Sequence, residues 1–496
     1  MIKKVLIANR GEIALRIIRA LREMGIDSAV VFSEADRDSR HVRQADEAYC
    51  IGPAPSSQSY LSVESVIKAA KQSGADAVHP GYGFLSENAA FARRCIEEGL
   101  VFIGPGPEAM EAMGTKTTAR KIMADAGVPV VPGTLEAVAG LEEAQQEAEK
   151  AGYPVMLKAS AGGGGKGMRL VNSAGELDSA FRDASSEAEK SFCDGSLYIE
   201  KAIVKPRHIE VQVLCDSHGN AIHLGERECS IQRRHQKIVE EAPSPFVTPE
   251  LREKMGEIAL RAARAVNYVN AGTIEFLMAP DGNFYFMEMN TRLQVEHAVT
   301  EVVTGVDIVK EQVRIADGER LGLEQKDVAM RGWAIECRIY AEDPMSNFLP
   351  CPGKVVAVRL PEGPGVRVDS SIYGSGEVSI HYDPMIARVI TWGAGRREAI
   401  EVMRRALEEF QIVGIRSNRD FLRRIVEHPE FQRGELDTGF IARNMGSGEY
   451  GPPDSHPVAE IAAAIVALES SRRGSSPRVP GKEISAWRLA LREGSK

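Results

Sequence analysis

Cysteine is scarce and scattered. The 496 residues hold seven, at 50, 95, 193, 215, 229, 337 and 351, an odd number with no CxxC pair. That excludes an obvious disulfide framework or zinc site and fits a reducing compartment. No run of about 18 uninterrupted apolar residues occurs. The first residues, MIKKVLIANRGEIALRII, follow a brief apolar stretch with charges, so neither a membrane span nor a secretory leader is read here. An excess of positive charge is also missing. The 61 basic and 70 acidic residues leave −9, the wrong sign for general binding to nucleic acid, although a local basic funnel still suits a phosphate ligand. No period of about 20–50 residues signals a repeat array. What is left is an ordered globular chain, expected in the cytoplasm. Its 43% apolar content is too high for long-range disorder, and at roughly 150 residues per domain its length allows about three domains.

Strands are expected at 2–8, 28–32, 76–79 and 101–103, with helices at 11–24 and 61–73, an alternation that predicts a parallel α/β sheet. Gly104-Pro105-Gly106-Pro107 marks a boundary. A helix from about 115 to 126 leads to a second break at Val128–Gly133, which opens a small section ending near 204. Strands at 208–214, 221–226, 273–279 and 284–290 and a helix near 305–317 follow. Residues 331–446 read as a β-rich α+β region closing with a helix near 396–410. The tail is Gly/Pro/Ser-rich at 446–457, with a short Ala-rich helix expected at about 457–470.

Between a strand at 154–159 and another at 168–171 runs Gly162-Gly163-Gly164-Gly165-Lys166-Gly167. Four consecutive glycines cost backbone entropy and supply no packing, so either they wrap closely around phosphate or they form a plain flexible linker. This is not a Walker A loop, because Lys166 is followed by Gly and Ser160 stands where the first Gly belongs. Lys158, at the end of the preceding strand, is placed to meet a phosphate.

The sharpest pattern is the hairpin from Thr273 to Asn290. If Asp281-Gly282 form a two-residue turn, Glu275 faces Glu288 directly. At ~5 Å and an effective dielectric of about 20, the repulsion is roughly 3 kcal/mol. A divalent cation reverses that sign, and hard oxygen ligands beside a phosphate loop point to Mg²⁺ or Mn²⁺. Two solvated glutamates are the alternative, and a slip of one residue would destroy the pairing. An extended chain beyond Glu288 would carry Asn290, Arg292, Gln294 and Glu296 on one face, a second polar site with a bidentate cation for a small oxyanion and a candidate base.

Other clusters are less specific. Cys229–Lys237 is rich in donors that either bind ribose and phosphate oxygens or form a solvated face. Alternation puts Arg338 on a face with Glu336 and Tyr340, compatible with a structural ion pair or with chemistry. His208 is open in the same way, and Cys229 and Cys337 read as small core residues.

In order and spacing, KVLIANRGEIALRIIRA, HPGYGFLSEN, KASAGGGGKGMR, ECSIQRRHQK, FMEMNTRLQVEH and ECRIYAEDP resemble the biotin carboxylase component of biotin-dependent carboxylases over about residues 1–446. The resemblance implies an α/β and α+β chain with an ATP-grasp fold. It would have a Rossmann-like N-terminal domain (1–114), an ATP-grasp domain (115–330, lid about 131–204), a β-rich C-terminal domain (331–446) and an extension (447–496). It also implies ATP- and bicarbonate-dependent carboxylation of biotin, the first half-reaction of an acetyl-CoA, other acyl-CoA or pyruvate carboxylase.

By this resemblance the nucleotide meets Lys116, Lys158, Gly164, Gly165, His208, Gln232, His235 and Leu277, with Glu200, Lys201, Ala202 and Ile203 as the adenine hinge. Glu275 and Glu288 correspond to metal ligands supported by Asn290, while Lys237, Arg292, Gln294 and the Val295 backbone correspond to a bicarbonate site. Glu296 would take the bicarbonate proton, Arg338 would stabilise the enolate-like oxygen of biotin, and Tyr82 and Gly83 would lie beside it. Arg19 and Glu23 match a homodimer interface. Lys166 for a common Arg and Arg388 for a common Lys are departures that keep the charge.

The 46 residues beyond 450 contain no Ala-Met-Lys-Met biotinylation site, so the biotin is expected on a carrier protein, with carboxyltransferase subunits as further partners. Another ATP-grasp ligase would share the loop and hairpin but lack Arg292–Glu296 together with Arg338. A non-catalytic nucleotide-binding subunit is the second rival.

Overall fold

The computed structural model describes residues 1–160 and 167–446, so Gly164, Gly165 and the tail at 447–496 lie outside the described residues. Near-continuous apolar runs, suited to burial on both faces, form a five-stranded parallel sheet in the order β3-β2-β1-β4-β5. Its strands are β1 Lys4–Ile7, β2 Asp27–Phe32, β3 Glu47–Cys50, β4 Ala77–His79 and β5 Val101–Phe102. Helix α1, Gly11–Glu23, buries Ile13, Leu15, Ile17, Ile18 and Leu21, the stripe read from the sequence. It stops at Gly25, whose φ of +71° is a left-handed helix terminator.

Three strands, β6 Val155–Ala159, β7 Arg169–Val171 and β8 Leu197–Lys201, make a small antiparallel sheet in the order β7-β6-β8. Helices Leu141–Ala151 and Ala174–Phe192 cover it through a core of Val155, Leu157, Val171, Leu177 and Ile199.

The largest sheet is antiparallel and has eight strands. β9 Arg207–Cys215, β10 Ala221–Arg233, β11 Gln236–Ala242, β12 Asn270–Met278, β13 Phe284–Asn290 and β14 Trp333–Tyr340 run in the order β13-β12-β9-β10-β11-β14. The strands Met385–Gly393 and Val366–Ser370 then extend it. Helix Pro249–Ala265 packs against Ile209, Val211, Ile274 and Phe276, and helix Arg396–Glu409 joins the core around Ile335, Cys337 and Val389. The β11–β14 pairing carries hydrogen bonding across residue 330, so the central and C-terminal sections share one sheet.

Two expectations are corrected. The strand after Glu288 ends at Asn290; residues 291–295 are a loop, and Glu296 is the N-cap residue of helix His297–Thr304. A period of two therefore does not explain the grouping of Arg292, Gln294 and Glu296. Helices Ala89–Glu97, Leu141–Ala151, Ala174–Phe192 and Pro249–Ala265 also lie where the sequence reading names no element, because broken apolar stripes carry a weak periodic signal. Among the described residues no helix is long and apolar enough to cross a membrane.

Candidate active site

The hairpin puts Glu275 opposite Glu288, by a different route from the expected one. The turn closes one residue earlier, with the Ala279 N–H donating to the Asn283 carbonyl at 2.8 Å around a three-residue tip. In that register Leu277 faces Tyr285 and Phe276 faces Phe286. A bulge at Met287 then adds one residue and restores the Glu275–Glu288 pairing. Beside the bulge, the Phe286 N–H donates to the Pro129 carbonyl at 2.7 Å, so the strand's outer edge pairs with the Val128–Gly133 break.

Glu275 is 3% exposed, which removes the solvated-glutamate alternative. Its Oε1 accepts from Lys237 Nζ at 2.7 Å, Asn290 Nδ2 at 2.8 Å and Gln294 Nε2 at 3.2 Å. Its Oε2 lies 2.9 Å from His208 Nε2. Burial opposes its charge, but Lys237 and His208 outweigh burial and hold the carboxyl well below the usual carboxylate range. Glu288 differs. Burial and the neighbouring Glu275 charge push its carboxyl up, Lys116 only partly opposes them, and among the described residues no hydrogen bond reaches it. Opposed carboxylates of which one is left without a donor fit a divalent cation: Glu275 and Glu288 would hold it and Asn290 would support it.

Behind this pair, Lys237 Nζ bridges Glu210 at 2.5 Å, Glu275 at 2.7 Å and Glu296 at 2.7 Å. It sits there because β10 and β11 turn at Arg234 and His235, with φ of +51° and +66°, setting Gln232 across from Lys237. Burial disfavours its charge, yet the three carboxylates raise the ammonium well above its ordinary value. Glu296 is fully buried and accepts from Lys237 and, at 2.8 Å, from Arg338 Nη2. Lys237 and Arg338 overcome the effect of burial and keep it ionised far below the usual range. Arg338 therefore meets Glu296 and not Glu336, and its Nε lies 2.7 Å from Glu240 Oε1 without hydrogen-bond alignment.

Arg292 donates to Glu87 at 2.8 Å, Gln294 at 2.9 Å and Asn290 at 3.1 Å. Glu87, which also takes the Thr291 N–H at 3.0 Å, is a partner the sequence reading missed. It stands inside HPGYGFLSEN, but nothing local marked it as facing residue 292.

A cavity of about 1230 Å³ joins these groups to the rest of the expected site. Lys116, Lys158, Glu200 to Ile203, His208, Gln232, His235, Leu277, Val295, Arg338, Tyr82 and Gly83 all line it. Glu296 is absent from the wall and reaches it only through Lys237 and Arg338. His208 Nδ1 is 2.8 Å from Gln232 Nε2. Lys158 is paired with Glu200, which Arg120 holds at 2.5 Å; Arg120 is a second residue that the sequence reading missed. The Lys201 ammonium is engaged by the carbonyls of Gly152 and Tyr153, at 2.7 and 3.0 Å, so at this position the main chain is what remains for a ligand. Gly83, with φ of +69°, lies in a turn that Asn9 braces through the carbonyls of Pro80 and Tyr82, at 2.7 and 2.8 Å.

Family models match the chain in three consecutive parts. These are "Biotin carboxylase, N-terminal domain" at 1–110, "Carbamoyl-phosphate synthase L chain, ATP binding domain" at 115–324 and "Biotin carboxylase C-terminal domain" at 336–443. The mitochondrial methylcrotonoyl-CoA carboxylase subunit alpha of Mus musculus is 54% identical over 89% of this chain, which spans 62% of that protein's length. A biotin carboxylase of Halalkalibacterium halodurans is 53% identical over 90% of this chain and 98% of its own. Among solved structures, the dimeric biotin carboxylase domain of the Hydrogenobacter thermophilus 2-oxoglutarate carboxylase, with MgADP, ADP and bicarbonate, superposes with a TM-score of 0.87 at 47% identity. It covers 91% of this chain and 100% of its own. With the opposed glutamates, the buried lysine and arginines behind them and this degree of identity along nearly the whole described length, the chain belongs to the biotin carboxylase family.

Proposed function

We propose that the chain is an ATP-dependent ligase that carboxylates biotin carried by a partner protein, consuming bicarbonate. The observation that carries this reading is the convergence on one cavity of a pair of glutamates suited to a cation and a cluster of Lys237, Arg292 and Arg338 suited to a small anion. A ligase that does not use bicarbonate has no need for the second cluster.

In this reading ATP lies against Lys116, Lys158, His208, Gln232, His235 and Leu277, with its base at Glu200–Ile203, and Gly164 and Gly165 are proposed as further nucleotide-binding residues. Glu275 and Glu288, supported by Asn290, would hold Mg²⁺ or Mn²⁺, which when bound would neutralise charge on the nucleotide phosphates. Bicarbonate is held by Lys237, Arg292, Gln294 and the Val295 backbone. A bicarbonate oxygen attacks the γ-phosphorus, the bond to ADP breaks, and the bicarbonate proton passes to Glu296. Lys237 and Arg338 keep Glu296 anionic but hold its basicity low, so it becomes an effective acceptor only as those cations turn to the bicarbonate. Because it sits behind both cations, the arriving anion competes with it for them. The resulting carboxyphosphate yields CO₂ and phosphate; phosphate removes the ureido proton of biotin beside Tyr82 and Gly83, Arg338 stabilises the developing oxyanion, and the nitrogen attacks CO₂. The lid, about 131–204, excludes the water that would hydrolyse carboxyphosphate.

The boundaries proposed are 1–114, 115–330, 331–446 and 447–496. The partners proposed are a biotin carboxyl carrier protein, carboxyltransferase subunits and a second copy of this chain meeting through Arg19 and Glu23, all in the cytoplasm. The test is ADP release measured with and without bicarbonate and free biotin. Release that requires bicarbonate and rises with biotin is expected; ATP turnover indifferent to both would remove the reading.

A further inference from the structure

Arg388 has no place in the scheme above, yet it is fully buried directly behind the anion loop. It lies on the strand Met385–Gly393. Its Nη1 donates to the carbonyl of Val295, while Nη2 donates to Glu12 at 2.8 Å and to Asp369 at 3.2 Å. Glu12 belongs to the first turn of α1, Asp369 to the strand Val366–Ser370, and Val295 to the loop at 291–295. One planar fork thus ties the N-terminal helix and the C-terminal part of the large sheet to a single peptide of the loop between them.

That peptide is the one that matters. Peptide planarity means that clamping the Val295 carbonyl also fixes the Val295–Glu296 plane, and with it the direction in which Glu296 enters the following helix. Residues 291–295 have no regular hydrogen-bonding ladder of their own to set this direction. Both carboxylates that orient the fork are themselves buried, so the guanidinium has little freedom to turn.

We propose that Arg388, oriented by Glu12 and Asp369, is a positioning residue for bicarbonate. It holds Val295 and Glu296 in the attitude that the anion requires without touching the anion itself. This inference rests on the bicarbonate-dependent reading above. The test is steady-state kinetics of the full chain, with ATP and bicarbonate varied separately, in Arg388→Met and Arg388→Lys. Arg388→Met should raise the KM for bicarbonate about tenfold and leave the KM for ATP within about twofold, and Arg388→Lys, which keeps a cationic donor but loses the fork, should fall between. If Arg388→Met does not fold, as judged by circular dichroism, Glu12→Gln decides, with an expected rise of about threefold for bicarbonate alone. An unchanged bicarbonate KM in a folded variant, or an equal rise in both KM values, overturns the proposal. Wild-type turnover that ignores bicarbonate would instead sink the underlying reading, and this inference with it.

Discussion

Of the glutamates that face each other across neighbouring strands of the large sheet, the pair Glu275 and Glu288 and the pair Glu240 and Glu336 resolve the same repulsion in opposite ways. Glu275 and Glu288, on β12 and β13, meet at the cavity; Glu240 and Glu336, on β11 and β14, meet in the interior, both at 0% exposure. Neither interior carboxylate makes a hydrogen bond. The nearest cations are Arg338 at 2.7 Å from Glu240, misaligned, and Arg388 at 3.8 Å from Glu336. Burial pushes Glu240 up to about 7 despite Arg338, and Glu336 well above its ordinary value despite Arg388. A dry pair lowers its repulsion by retaining a proton, whereas a pair open to a ligand cavity can be served by a cation. The pattern in the sequence is the same; the dielectric surroundings decide which.

The largest test of that contrast is Glu288→Lys. It places an ammonium where a cation is expected and should reduce turnover at least about a thousandfold, since metal stabilisation is worth several kcal/mol. The circular dichroism spectrum should stay unchanged, and near-normal activity would break the cation assignment. A smaller effect concerns the interior pair. Glu240 has a folded value of about 7 against an ordinary 4.5, so the folded chain binds the extra proton between those values. Its stabilising contribution is present below about 4.5 and is lost as pH rises through about 7. Thermal melting should therefore drop between pH 6 and 8 by on the order of 2 °C, and Glu240→Gln should flatten that drop. An unaltered slope in the variant would show that this pair does not hold the proton. The smallest effect belongs to the hairpin tip: Gly282, at φ +87°, should cost about 1 kcal/mol when changed to Ala, by denaturant unfolding, with the Mg²⁺ dependence of turnover unmoved. A change in Mg²⁺ dependence would mean that the tip, and not the Met287 bulge, sets the pairing.

Much of the site was legible because its residues are close in sequence and carry the charge that the chemistry needs. Glu275 and Glu288 were readable from one hairpin, although the expected turn was wrong by one residue and the Met287 bulge compensated. The bulge lies beside the pairing of Phe286 with the Val128–Gly133 segment, which is too distant in sequence for turn rules to include. Arg292, Gln294 and Glu296 were grouped correctly by a wrong mechanism: a loop, clamped by Glu87, Lys237 and Arg388, brings them together, with Glu296 behind the wall. Arg120 and Glu87 were invisible because each acts on a partner about 80 or about 200 residues away.

By itself, the sequence determined the parallel N-terminal sheet, the apolar stripe of α1 and the residue types of the two charged clusters, all of which depend on local periodicity and composition. Tertiary structure decided the rest: the shared eight-stranded sheet, the attitude of the anion loop, the burial of Glu296, and which glutamate pair faces a cavity. These depend on dielectric and on partners contributed by remote segments, and a carboxylate's character follows from what surrounds it in space.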